Sequence, residues 1–134
     1  MTEAEMRERT QTLLKKSASD EDALNLDGLS PQIAALHGQQ AIEKLFKAWL
    51  FALGEEPPKI HSLRKLMGLL ELRGCGVPET AIPFEDFNDY AVQWRYQDVP
   101  ESGRLDMGAM RQTVVALREY VVARIAEVET KRLG

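Results

Sequence analysis

Cysteine and histidine are scarce in this chain of 134 residues, with one of the first and two of the second. Cys75, set between two glycines, has no second thiol for an internal disulfide or a multi-cysteine metal site, which fits a reducing compartment. Metal-ligand spacing of His and Cys is likewise missing, so neither a metal nor a cofactor is expected. Long apolar runs are absent too. The longest, Ala48 to Leu53, falls far short of the ~20 residues needed to cross a bilayer, and the opening MTEAEMRERT has no apolar signal-peptide core. These gaps point to a cytoplasmic protein without a membrane segment. There is no Walker loop, no G-x-S-x-G elbow and no glycine-rich dinucleotide fingerprint. A formal net charge of -4 excludes a basic footprint over the whole surface, so any polyanion site must be local.

What is present is an ordinary globular composition, 44% hydrophobic and 28% charged. The length suits one domain over 1–134 that buries about two-thirds of its unfolded surface. The strongest element is a helix ending near Leu53. At 100° per residue, Ala41, Leu45, Ala48, Trp49 and Ala52 share one face, with Ile42, Phe46 and Leu53 at its edge, while His37, Gln40, Lys44 and Lys47 lie on another. Ser30-Pro31 supplies its N-cap and first position, and Gly54 followed by Pro57-Pro58 stops it.

A first helix is expected between Met1 and roughly Asp27, interrupted by the polar, acidic stretch Ser17 to Asp22. A third begins near His61 or Ser62, buries Leu63, Leu66, Met67, Leu69 and Leu70, and ends at Gly74. Phe84, Phe87, Tyr90, Ala91 and Trp94 space like a short fourth helix whose aromatics build core. The last, roughly Leu105 to Lys131, carries Met107, Met110, Val114, Leu117, Val121, Ile125 and Val128 as a near-heptad seam for bundle packing or a dimer interface. The fold class is therefore all-α, an antiparallel up-and-down helical bundle of four to five helices.

Two ordered motifs in this framework resemble the HEPN domain, the nucleotide-binding domain of higher eukaryotes and prokaryotes. The first is the run from His37 through Gln39-Gln40-Ala41, Glu43-Lys44 and Lys47-Ala48 to Leu50, then a Gly- and Pro-containing break and His61-Ser62-Leu63. The second is Asn88-Asp89-Tyr90-Ala91-Val92 leading into Arg95-Tyr96-Gln97-Asp98. The likeness extends from roughly Leu13 to Val128. Two departures stand out: Ser62 where the family often has Asp, and Gln97 where it has a proline.

The resemblance implies a helical bundle that acts on nucleotides or RNA, or that partners a nucleotidyltransferase. HEPN ribonucleases pair an arginine with a histidine four to six positions later, for phosphate stabilisation and proton transfer. Neither His37 nor His61 has an arginine in that window, and no histidine follows Arg95. No catalytic residue is therefore assigned. The expected function is a noncatalytic binding module, a homodimer that binds a nucleotide or RNA or serves a separately encoded minimal nucleotidyltransferase in a toxin-antitoxin-like pair. The alternatives are a ribonuclease toxin with a degenerate site and a purely structural interaction dimer.

The nucleotide- or anion-binding candidates are Lys44, Lys47, His61, Arg64, Arg95, Tyr96, Arg111 and Arg118. Lys59, His61, Arg64 and Lys65 crowd the positive end of the third helix, where backbone and side chains together would attract phosphate; the bland account is solvated cations, with His61 capping or packing the turn. Arg95-Tyr96 offers a guanidinium for phosphate and a phenol for a base, or an arginine that satisfies the helix's last carbonyls. Arg104, Arg111 and Arg118 recur every seven residues, about 80° from the seam. They either line a groove with Arg95 and the Lys44-Lys47 face, or form a solvated flank pairing with Glu71, Glu119 or Glu127.

Overall fold

In the computed structural model, residues 1–88 and 106–133 are described, and among them every regular element is helical. Four long helices follow in order: α1 (Glu3–Leu24), α2 (Pro31–Ala52), α3 (Leu63–Leu72) and, after a helical run α4 at 84–88, α5 (Met107–Leu133). Tyr90, Trp94, Arg95, Tyr96 and Arg104 lie outside the described residues.

The helix α2 is the centre of the bundle, packing on α1, α3 and α5. Its caps are those expected from sequence. Ser30 Oγ accepts the Ile33 amide at 3.3 Å with Pro31 at the first helical position, and the end closes as a Schellman motif, Glu55 N–H donating to Leu50 O and Gly54 N–H to Phe51 O. Gly54 sits at φ +89°, a left-handed conformation costing other residues roughly 1–2 kcal/mol. Burial on α2 is wider than its apolar face implied. Leu50 and Phe51 are buried along with Ala41, Ile42, Leu45, Phe46, Ala48, Trp49 and Ala52, because neighbouring helices enclose its C-terminal half on more than one side.

The helix α1 is continuous where the polar stretch Ser17 to Asp22 suggested a break. Ser17 and Asp20 are buried, and both find partners across the helix pair. Ser17 Oγ donates to Ala41 O at 2.9 Å, while Asp20 meets Lys44 and His37. A satisfied polar group costs little to bury, so this segment remains helix. The pair is antiparallel: Arg9 and Leu13, early in α1, lie beside Phe51 at the end of α2, while Asp20, late in α1, reaches back to His37.

The remaining elements close over α2. Seam residues Met110, Val114, Leu117, Val121 and Ile125 of α5 are buried, and Asp106 caps its start by accepting the Gly108 and Ala109 amides at 2.8 and 3.4 Å. Phe84 meets Phe46 edge-on, with centroids 5.4 Å apart. Phe87, fully buried, lies so close over Gly38 that a Cβ there would stand 2.6 Å from its ring. These two aromatics are core, as their spacing predicted. The loop before them is tied to α5: the Ile82 amide donates to Thr113 Oγ1 at 3.2 Å and Tyr120 donates to Gly76 O at 2.9 Å.

Candidate functional site

Most of the sequence-derived candidates are engaged with acids or carbonyls, in two clusters. The first surrounds the C-terminal end of α1. This helix has no basic residue in its last turn, yet carries Glu21 and Asp22 at the end where the backbone dipole is negative. Positive charge comes from other helices. Lys44 reaches Asp20 from α2, with His37 Nδ1 3.2 Å from the same carboxyl. From α5, Arg118 Nε donates to Glu21 Oε1 at 2.8 Å and Arg111 Nε to Leu24 O at 3.3 Å. Arg111 thus satisfies a terminal carbonyl of α1, a role ordinarily taken by a helix's own last turn.

The second cluster is built on Glu43. Its carboxylate accepts from Lys47 Nζ at 3.0 Å and lies 3.0 and 3.1 Å from His61 Nδ1. Because a carboxylate accepts, Nδ1 is the donor. His61 neither caps nor packs the first turn of α3; its side chain is 83% exposed while Glu43 is 13% exposed. The cap is Ser62, whose Oγ accepts the Lys65 amide at 3.2 Å.

Lys44, Arg111 and Arg118 therefore meet the end of α1, whereas Lys47 and His61 share Glu43. Arg64 stands apart, exposed at the start of α3, where it lines a depression of about 270 Å³ with Ser62, Glu85 and Asn88. Arg95 and Tyr96 fall outside the described residues. The partner of Arg118 is Glu21, not Glu71, Glu119 or Glu127. Of the acids that organise the clusters, Asp20 and Glu21 carried no local signal of that role, since each acts across helices, whereas Glu43 stands at the i,i+4 spacing from Lys47 and only its contact with His61 is distant in the chain.

Among the described residues no group of three or more His, Cys, Asp or Glu side chains is placed to hold a metal, and no helix is long and apolar enough to cross a membrane. Cys75 is half-buried in the loop after α3. Chemically, the arrangement provides cations set against acids and one exposed imidazole backed by a carboxylate.

Among curated proteins and solved structures, none matches the chain. A family model does. The HEPN domain model matches residues 16–125, from the middle of α1 to the last third of α5, taking in both clusters and the motifs around His37 and Asn88. With most of its length matched and an all-helical bundle as its fold, the chain belongs to the HEPN domain family.

Proposed function

We propose that the chain is a noncatalytic HEPN-type binding module that takes a nucleotide or RNA in the cytoplasm, as a homodimer or beside a separately encoded minimal nucleotidyltransferase in a toxin-antitoxin-like pair. Family membership supports a nucleotide- or RNA-related role. The observation that carries the noncatalytic part is the setting of the two histidines. Neither has an arginine at the ribonuclease spacing, and each ring approaches a carboxylate through Nδ1, His37 to Asp20 and His61 to Glu43. In that chemistry the positive charge beside histidine meets phosphate; here Lys44 and Lys47 are held on the same carboxylates as the two rings.

One feature favours a second reading, an altered ribonuclease. An exposed imidazole oriented by a buried carboxylate is the arrangement a general base uses, and His61 with Glu43 has that form.

A thermal-shift series tests the binding function. The purified chain is heated with ATP, GTP, NAD or short single-stranded RNA, and the series is repeated with Arg95→Ala. At a ligand concentration of 100 Kd, native-state binding adds about 2.7 kcal/mol, a rise of several degrees in Tm. The rise is expected with a nucleotide or RNA, and Arg95→Ala reports whether that arginine contributes to it. An unchanged Tm with every ligand would refute the binding function and leave a module for a protein partner.

A further inference from the structure

A groove apart from the Asp20 and Glu21 contacts gathers cations that the sequence-derived candidates largely omit. It runs between α1, the last turns of α2 and the Pro57-Pro58 loop, with a volume of about 210 Å³. Arg9 and Lys16 line it from α1, Lys47 from α2 and Lys59 from the loop. The antiparallel pairing that brings Ser17 to Ala41 also carries the α1 face bearing Arg9, Leu13 and Lys16 over Lys47 and Phe51. At the other side, the Schellman turn at Gly54 reverses the chain, and Pro57, which is buried, anchors Lys59 at the rim.

Two properties mark this groove. The first is charge. Glu56 is the one carboxylate among its lining residues, in a chain whose net charge is -4. Of its four cations, Lys47 is paired with Glu43 at 3.0 Å. Arg9, Lys16 and Lys59 have no acid within ion-pair distance among the described residues. Like charges crowded together repel, a cost that a bound anion removes. Beyond Arg9 the sign changes, since Glu5 and Glu8 line the neighbouring depression, and this sets the groove's outer end. The second property is its floor, made apolar by Leu13, Phe51, Pro57 and Pro58. Inorganic phosphate would leave that floor uncovered, and an uncharged apolar ligand would leave the cations unmatched.

We propose that this groove binds a nucleoside phosphate, free or as a unit of a single RNA strand, with the phosphate between Lys16 and Lys59 and the flat, apolar body of the nucleoside over the Phe51 and Pro58 floor. The proposal rests on the nucleotide or RNA function put forward above and assigns it a place. Arg9 and Lys16 are seven residues apart, about 10 Å along the helix, so a strand running along α1 meets positive charge at both ends of the groove. Drug-sized ligands, nucleotides among them, fill pockets of roughly 300–1,000 Å³; in the smaller volume here one nucleotide unit lies partly exposed, in an open trough. An acidic peptide would need two side chains and their backbone to supply the same charge and apolar surface.

The test uses a 5′-labelled single-stranded oligoribonucleotide in fluorescence anisotropy, with unlabelled ATP as competitor. Lys16→Glu with Lys59→Glu reverses two exposed charges in the groove. Arg7→Glu with Lys15→Glu makes the same change in net charge at exposed positions of α1 outside it. The groove variant is expected to bind RNA at least tenfold more weakly, with a salt slope shallower by about 1.4, two contacts at ~0.7 each, while the control stays within twofold of the native chain. Displacement by ATP identifies the free nucleotide as sufficient; no displacement identifies the strand as the ligand, and both agree with the proposal. Equal weakening in the two variants, or none in either, overturns the groove assignment and leaves RNA binding intact. A native chain that binds neither RNA nor ATP removes the underlying function, and binding of an acidic peptide instead would give the groove to a protein partner.

Discussion

Phe46→Ala is expected to lower the stability of the bundle by about 3–5 kcal/mol, the range for removing a large aromatic from a packed core. Phe46 is fully buried on α2 and holds Phe84 edge-on at 5.4 Å. Its loss therefore opens a cavity and also releases the ring that seats α4. Thermal or urea unfolding followed by circular dichroism measures the effect, and for a domain of this size the corresponding fall in Tm is roughly 10–20 °C. A fall of only a few degrees would mean that α4 and the loop before it move in to fill the space, so that this side of the bundle is not fixed by α2.

The second large effect lies at Asp20. Removing one partner of a buried ion pair costs about 3–5 kcal/mol; Lys44 is 25% exposed and His37 30% exposed, so both retain some water, which reduces the expected loss for Asp20→Ala to about 2–3 kcal/mol. Replacing both charges by apolar residues of similar volume, Asp20→Leu with Lys44→Met, should recover most of that loss, because the desolvation cost disappears with the charges. Chemical denaturation of the native chain and the variants provides the comparison. Recovery in the double variant assigns Lys44 and Asp20 to helix packing. If the double variant is as unstable as Asp20→Ala, the site needs its polar groups for another reason, such as supporting His37.

The fold was legible wherever the signal was local. Ser30-Pro31, Gly54 and Gly74 mark helix ends by backbone chemistry that needs no tertiary context, and Phe84 and Phe87 occupy the core positions their spacing indicates. Misreadings arose where a distant residue changes the cost of burying a polar group. Ser17 to Asp22 looks like a helix interruption until Ala41, Lys44 and His37 are placed against it. Arg118 finds Glu21 across 97 residues, beyond the reach of any spacing rule. The arginine stripe on α5 was visible, but its role at the carboxyl end of α1 depends on which helix lies beside it. The groove was half visible. Arg9 and Lys16 share a helix face by simple periodicity, yet only the antiparallel pairing and the turn at Gly54 bring Lys47 and Lys59 to them.

Binding without cleavage is the central claim, and the most direct test is incubation of the full chain with a 5′-labelled single-stranded RNA, followed by native and denaturing gels of the same reaction. The expected result is a retarded complex on the native gel whose RNA runs at full length on the denaturing one. Shortened RNA whose appearance depends on His61 would contradict it and make the imidazole backed by Glu43 a catalytic base.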